Sequence, residues 1–284
     1  HGFNDWNVMP EHSYRIYKAA KDKGLPAQIY YHQNGHGGEP PLAMMNRWFT
    51  RYLHGVENGV EEDAKAWIVR ENDDKQSPTP YKDYPNPEAA DVTLYLGGGA
   101  PEKGGLSTEK KAAQGLETLV DNFSFSGETL AKAENTNHRL LYITPTLKKD
   151  IHLSGIPKIS ISLASNKATA NLSVWLVSLP WNEGENVKIT DNIITRGWAD
   201  PQNHSSITHG EPLVPGQFYN VTFDLMPDDQ VVPKGQQIAL MIFSSDREFT
   251  LLPDPGTELS VDLDVTTLTI PVVGGVEAFK RATE

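Results

Sequence analysis

Two polar residues near the start of the chain could carry out chemistry together. Asp5 lies in the segment HGFNDWNV, and His36 lies 31 positions later (36 − 5 = 31) in the Gly-rich segment HQNGHGG. An aspartate that accepts the Nδ1–H of a histidine fixes the tautomer of the ring and stabilises the imidazolium when the histidine takes up a proton. In the order acid then base, Asp5 and His36 are candidates for two members of a nucleophilic triad.

The elements predicted between these two residues would bring their loops together. Residues 10–24 favour a helix that starts with a proline and ends at a glycine, and residues 27–31 predict a short strand. Because the ends of neighbouring strands meet at one edge of an α/β sheet, the two loops should converge there. Each residue could instead only stabilise its own loop, Asp5 as an Asx turn or helix cap and His36 as a helix cap.

A second predicted helix covers residues 42–54 and ends at Gly55. It carries an apolar stripe with the i, i+3, i+4 spacing of one helix face, formed by Met45, Trp48, Phe49, Tyr52 and Leu53. The pattern β–loop–α–β–loop–α is typical of the end of an α/β domain. Since the chain starts without a methionine, we expect it to be a piece of a longer protein whose upstream part holds the front of that domain.

The third member of a triad is not found in the chain. A serine nucleophile of this kind sits in a G-x-S-x-G turn. The serines whose surroundings come closest to this pattern, Ser107 and Ser126, lack the flanking glycines. In this triad order the serine precedes the acid, so we expect it upstream of residue 1. His32 and His36 could suggest zinc, but HQNGH is not HExxH and Gly35 disfavours the required helix. We predict no metal site and no cofactor.

The second part of the chain has a different character. Residues 61–90 are charged and Pro-rich with an apolar patch at 66–69, which predicts an inter-domain crossover carrying one strand. Short alternating segments then predict a β-sandwich or jelly roll over residues 91–275. The predicted strands cover residues 92–96, 139–144, 158–163, 171–177, 191–198, 218–225, 237–243 and 259–270. We expect residues 276–284 to be a frayed tail.

The β-sandwich also offers an alternative function. Three of its tryptophans, Trp175, Trp181 and Trp198, could line a sugar site, although such residues more often belong to a core. If they did line one, this part of the protein would act as a carbohydrate- or protein-binding module.

Composition excludes some partners and leaves the cellular compartment open. The formal net charge of −12 argues against a nucleic-acid partner, and no apolar run reaches the roughly 18 residues of a membrane span. The absence of cysteine excludes disulfides and thiolate metal sites. A cytoplasmic location, a secreted or periplasmic location with a signal peptide upstream, and a homodimer all stay open.

Several separated segments resemble one known family, the Xaa-Pro dipeptidyl-peptidases. These are serine peptidases of the α/β-hydrolase type, related to cocaine esterase and to amino-acid ester hydrolases. HGFNDWNV resembles the family's acid-bearing motif, and RWFTRYLHGVENGVE resembles the helix after its catalytic histidine. LLYITPTLKKDIHLSGIPKISISLAS, ITRGW and VVPKGQQIALMIFSSD resemble strands of its non-catalytic C-terminal jelly roll. The resemblance covers most of the chain.

The resemblance implies both an architecture and an activity. It implies the C-terminal part of an α/β-hydrolase domain at residues 1–60, followed by a galactose-binding-like β-sandwich. Asp5 matches the triad acid and His36 the triad base. The peptidases release N-terminal Xaa-Pro dipeptides through an acyl-enzyme, here on a serine upstream of the chain. Esterase or acylase activity of the cocaine esterase type stays open, and the fragment alone is expected to be inactive.

Overall fold

In the computed structural model, which describes residues 1–70, 74–184 and 191–284, the first part of the chain forms a small α/β layer. Strand β1 (Ile29–Tyr31) pairs parallel with β2 (Ala66–Ile68), and β2 pairs antiparallel with β3 (Thr79–Tyr81). Gly2 adds a parallel bridge to His32, just beyond β1. Helices α1 (Glu11–Asp22) and α2 (Leu42–His54) follow the two loops. The α/β prediction is confirmed, and the predicted and observed bounds of α2 agree.

The crossover predicted for residues 61–90 contributes two strands to this layer. β2 coincides with the apolar patch, whereas β3 was not predicted because its sequence, Thr-Pro-Tyr, carries no strand signal of its own. Residues 71–73 of the crossover lie outside the described residues. Aromatic packing closes the layer, since the ring of Phe3 stacks on Tyr31 with centroids 4.3 Å apart. Strand pairing thus extends the α/β layer to Tyr81.

Helix α2 leaves its apolar stripe uncovered by the described residues. None of its residues is buried, and Phe49 and Leu53 are 51% and 72% exposed. Beside the stripe lies a groove of about 300 Å³, lined largely by apolar side chains that include Met45, Trp48 and Trp67. Exposed apolar surface of this kind is typical of an interface.

The second part of the chain forms a β-sandwich, as predicted. Its thirteen described strands are β4 (Ala89–Gly97), β5 (Gly104–Ser107), β6 (Leu116–Val120), β7 (Leu140–Ile143), β8 (Ile151–Gly155), β9 (Lys158–Ser165), β10 (Leu172–Leu179), β11 (Ile193–Ala199), β12 (Phe218–Asp224), β13 (Asp228–Val232), β14 (Gln237–Phe243), β15 (Glu258–Asp262) and β16 (Thr267–Val273). They form one hydrogen-bonded network in the order β11-β10-β14-β7-β5-β4-β16-β9-β15-β6, with β12 on β9 and β13 linked through β8 to β16. The described residues of this part also form the α-helices α3 (Gly127–Lys132) and α4 (Gly275–Thr283).

Strand β10 is buried on both faces, although its alternating sequence predicts one buried face. All eight of its residues are buried. Leu172, Val174 and Leu176 enter the main core of the sandwich, whereas Trp175 and Val177 enter a second cluster on the opposite face. Because that second cluster also receives Trp6 from the α/β layer, the outer face of the sheet meets the first part of the chain instead of solvent.

Two predictions about the end of the chain are wrong. The predicted strand 259–270 is divided into β15 and β16, since the Thr266 hydroxyl donates a hydrogen bond to the Asp262 carbonyl (2.7 Å) and closes a turn. Residues 276–284, expected to be a frayed tail, belong to helix α4. Phe279 and Ala282 lie three residues apart on its inner face and are 2% and 1% exposed. The tail is therefore part of the core.

Within the described residues, no helix combines the length and the apolar character needed to cross a membrane.

Candidate functional site

The Asp5 and His36 loops lie against each other at one edge of the three-stranded sheet. We call residues 3–8 the acid loop and residues 32–40 the histidine loop. The Phe3 N–H donates to the His32 carbonyl (2.8 Å), and the Asn4 side chain donates to the Gln33 carbonyl (2.8 Å). These hydrogen bonds join the loops directly after the Gly2–His32 bridge. The convergence expected from strand order is present.

Gly2 allows this close approach. A Cβ atom at position 2 would overlap the main-chain carbonyl oxygens of Asn34 and Gly35 in the histidine loop. Any larger residue would force the two loops apart or tilt one of them. The glycine in HGFND is therefore a requirement of loop packing.

Asp5 and His36 form a direct hydrogen bond. The His36 Nδ1 atom lies 2.9 Å from Asp5 Oδ2, while Asp5 Oδ1 accepts the N–H groups of Asn7 (3.1 Å) and Val8 (3.0 Å). The Asp5 side chain is 3% exposed and that of His36 is 66% exposed. With Nδ1–H donated to the carboxylate, Nε2 of the neutral ring is the acceptor. The pair has the arrangement of a triad acid and base.

Local hydrogen bonds hold the Asp5 carboxyl in its ionised form. Burial alone would raise the pKa of Asp5, but the hydrogen bonds from the N–H groups of Val8 and Asn7 and from the His36 ring outweigh it and lower the pKa below its usual range. A carboxylate that accepts several N–H groups is stabilised in this way. Asp5 is therefore an anion at neutral pH and can stabilise a protonated His36.

A second imidazole touches the same carboxylate. His1 Nε2 lies 3.1 Å from Asp5 Oδ2 and 2.8 Å from the Val8 carbonyl, and His1 Nδ1 lies 2.7 Å from the Ser13 hydroxyl. The sequence interpretation did not single out His1. Its position directly before the acid-bearing loop, four residues from Asp5, is the only sign of this contact in the sequence.

His32 is separate from the pair. It is fully buried, and its Nδ1 accepts the Asn34 N–H at 3.1 Å. Burial lowers its pKa, so the ring is neutral at physiological pH. No cluster of three or more His, Cys, Asp or Glu residues suited to a metal ion is found in the described parts of the chain.

Sequence comparison decides the family. The family model described as the X-Pro dipeptidyl-peptidase C-terminal non-catalytic domain matches residues 58–276. A protein of Rhodopirellula baltica named as a Xaa-Pro dipeptidyl-peptidase is 62% identical over 275 residues, which is 97% of this chain and 44% of the relative. The chain belongs to the Xaa-Pro dipeptidyl-peptidase family. The resemblance found in the sequence motifs is confirmed.

More distant members of the Xaa-Pro dipeptidyl-peptidase family match in the same way. The relative from Bacillus anthracis is 34% identical over 279 residues, and the one from Lacticaseibacillus rhamnosus is 30% identical over 317. Each alignment covers 95% of this chain, but only 44% and 39% of the relative. The chain thus spans less than half of the length of these family members.

Solved structures share the fold over almost the whole chain. An aminopeptidase from a marine sediment Thaumarchaeota archaeon aligns with a TM-score of 0.75 at 15% identity and covers 96% of this chain and 54% of that one. A CocE/NonD family hydrolase from Staphylococcus aureus aligns with a TM-score of 0.70 at 14% identity, covering 96% and 53%. At this identity the likeness concerns the fold alone, an α/β layer followed by a β-sandwich.

The candidate serines are engaged away from the Asp5–His36 pair. The Ser107 hydroxyl donates to the Glu109 carbonyl (3.2 Å) at the end of β5. The Ser126 hydroxyl accepts the Thr129 N–H (3.2 Å) and caps α3. Each serine therefore has a local structural role, and neither forms a hydrogen bond with His36 in the described structure.

The tryptophans considered for a sugar site are buried or half-buried in the β-sandwich. Trp175 is 2% exposed, and the indole N–H groups of Trp175 and Trp198 both donate to Asp246 Oδ2 at 2.9 Å. Trp181 is half-buried beside the same cluster, with Lys132 over its ring. Trp175 and Trp198 thus converge on one buried carboxylate, and Trp181 packs at the edge of the second cluster.

Both loops of the site contact the β-sandwich. Trp6, next to Asp5, lies with its ring centroid 3.0 Å from the Arg196 guanidinium carbon on β11, and Gln33 donates to the Asp229 carbonyl on β13 at 2.6 Å. Burial lowers the pKa of Arg196 to about 9. Its Nε and Nη2 atoms have no hydrogen-bond partner among the described residues, and each buried N–H group without a partner lowers the stability of the fold by about 1–3 kcal/mol. A desolvated cation–π contact contributes about 2 kcal/mol in the opposite direction.

Proposed function

We propose that this chain is the C-terminal part of a serine hydrolase that releases N-terminal Xaa-Pro dipeptides. Residues 1–60 would complete an α/β-hydrolase catalytic domain, residues 61–90 would connect the domains, and residues 91–275 would form the non-catalytic β-sandwich. The observation that carries the proposal is the 2.9 Å hydrogen bond between His36 Nδ1 and Asp5 Oδ2, in a chain of the Xaa-Pro dipeptidyl-peptidase family.

In this mechanism His36 moves the proton and Asp5 stabilises the charge. His36 Nε2 takes the proton of the serine hydroxyl as the serine oxygen attacks the carbonyl carbon of the substrate's proline residue. The imidazolium then protonates the leaving amine, and the dipeptide remains as an ester on the serine. Water, deprotonated by the same ring, hydrolyses that ester and regenerates the hydroxyl.

The remainder of the catalytic domain would supply the serine and cover α2. The chain spans 44% of its Rhodopirellula baltica relative, so more than half of such a protein lies elsewhere. The uncovered stripe of α2 and the apolar groove beside Trp48 and Trp67 offer it a packing surface. It follows that the 284 residues alone should not react with a fluorophosphonate, because the nucleophile is outside them.

The test is turnover by the full-length parent protein. We expect it to release p-nitroaniline from an Ala-Pro p-nitroanilide, and His36→Ala to abolish that activity. His209→Ala, at an exposed histidine of the β-sandwich, is the matched control and should keep it. Wild-type activity in His36→Ala would contradict the assignment of the base. Turnover of a simple ester combined with no turnover of the anilide would instead identify an esterase.

A further inference from the structure

The outer face of the β-sandwich receives a side chain of the acid loop. Trp6 enters a cage of residues from the sandwich, with Arg196 against its ring face and Phe249 edge-on at 5.8 Å. The Arg196 guanidinium carbon also lies 4.5 Å from the Phe249 ring centroid and 4.9 Å from that of Trp175. The cage is therefore an aromatic shell around one buried cation, and Trp6 is its contribution from the α/β layer.

The partners of Arg196 are unusual for a buried arginine. Arg139, also buried in the sandwich, donates to the main-chain carbonyls of Ala100 and Ala133. Arg196, at 2% exposure, has no partner for Nε or Nη2 among the described residues. Its guanidinium lies against aromatic rings, and the charge of the buried Asp246 carboxylate acts on it. A guanidinium that stacks on a ring fixes the plane of that ring, so Arg196 restrains the orientation of Trp6.

The restraint reaches Asp5 through one peptide bond. Trp6 lies between Asp5 and Asn7, and the Asn7 and Val8 N–H groups bind Asp5 Oδ1. A shift of Trp6 would move these N–H groups and the carboxylate together. We infer that Arg196 is a positioning residue, through which the β-sandwich holds the Trp6 ring and thereby the Asp5 carboxylate against His36. The inference rests on the proposed function of Asp5 and His36.

The histidine loop has an anchor on the same domain. Gln33 donates to the main-chain carbonyl of Asp229 (2.6 Å), while its own carbonyl accepts the Asn4 side chain of the acid loop (2.8 Å). Asp229 is fully buried, and its Oδ1 lies 2.9 Å from His152 Nε2. Both loops are thus held from one side by strands of the sandwich, which fixes their mutual distance.

The experiment uses the full-length parent protein and kinetics per active site. Arg196→Met removes the cation at similar length, Arg196→Lys keeps a cation, and Trp6→Leu removes the ring from the loop side. Lys132→Met is the matched control, because Lys132 lies over Trp181 (5.5 Å) at the edge of the same cluster. Titration with a fluorophosphonate gives the concentration of active sites. Dividing the rate by that concentration ensures that a loss of folded protein is not mistaken for a lower kcat.

We expect Arg196→Met and Trp6→Leu to lower kcat per titrated site by about tenfold or more with little change in KM, since small misplacements of catalytic groups cost up to about a hundredfold. Arg196→Lys should recover part of the loss, and Lys132→Met should match the wild type. Wild-type kcat per titrated site in Trp6→Leu would overturn the inference even if Arg196→Met did not fold. If His36→Ala is inactive in that case, only the positioning role fails; an active His36→Ala refutes the proposed function itself.

Discussion

Replacing Asp5 by asparagine should remove most of the activity and leave the fold intact. The change is nearly isosteric at a buried site, and the Asn side-chain oxygen can still accept the Asn7 and Val8 N–H groups at the Oδ1 position. That arrangement places the amide NH2 at the Oδ2 position, which in the wild type accepts the Nδ1–H of His36 at 2.9 Å. His36 would then have to accept at Nδ1 and carry its proton on Nε2.

A ring with its proton on Nε2 cannot take a proton from serine. The same tautomer error in a Ser-His-Asp enzyme lowers kcat by about 10⁴, close to 5.5 kcal/mol at 1.36 kcal/mol per factor of ten. We expect a loss of that order for Asp5→Asn in the full-length protein, measured as kcat on an Ala-Pro anilide.

Two controls distinguish an effect of Asp5→Asn on the His36 tautomer from an effect on folding. Asp5→Asn should keep the far-UV circular dichroism of the wild type and unfold in one cooperative transition, and fluorophosphonate should label its serine far more slowly. A kcat within about tenfold of the wild type, in protein that is folded, would refute the reasoning, because an aspartate of a working triad contributes orders of magnitude more.

Three further predictions concern the loops, the acid and the last helix. Gly2→Ala should lower kcat by up to about a hundredfold, because the added Cβ would push the two loops apart. Gly105→Ala, where an added Cβ has ordinary space, is the control, and equal kcat values for Gly2→Ala and Gly105→Ala would contradict the packing requirement. The pKa of Asp5 is lowered in the folded state, so the ionised carboxylate stabilises the fold above the unfolded pKa of about 3.9, and this stabilisation is lost as pH falls through the folded pKa. In urea unfolding from pH 7 to 3, the difference in free energy of unfolding between wild type and Asp5→Asn should shrink only at the acidic end, and a difference that grows there would contradict this prediction. Phe279→Ala should lower the free energy of unfolding by about 3–5 kcal/mol, measured by urea unfolding; a change as small as that of a surface substitution would show that α4 is not part of the core.

The features that could be predicted from sequence are those with local signals. Helix α2 has a regular apolar stripe and a glycine stop, and its predicted bounds agree with the structure. Strand β14 is a continuous apolar run and also matches. The Asp5–His36 contact could be anticipated because strand order alone brings the two loops to one sheet edge.

Features that depend on distant partners could not be predicted. Strand β3 exists through its pairing with β2, and the ends of β15 and β16 follow from a turn closed by Thr266. Helix α4 is short, and the burial of Phe279 and Ala282 in the structure shows that it is docked. The contact between Trp6 and Arg196 joins residues 190 positions apart (196 − 6 = 190), and an alternating strand sequence does not tell which of its faces a distant loop will cover.

The most direct test of the central claim is the rate at which the full-length protein's serine reacts with a fluorophosphonate when the histidine is removed. If His36 is the base that activates the nucleophile, the labelling rate of His36→Ala should fall by orders of magnitude, while His209→Ala labels at the wild-type rate. Equal labelling rates in His36→Ala and the wild type would contradict the account.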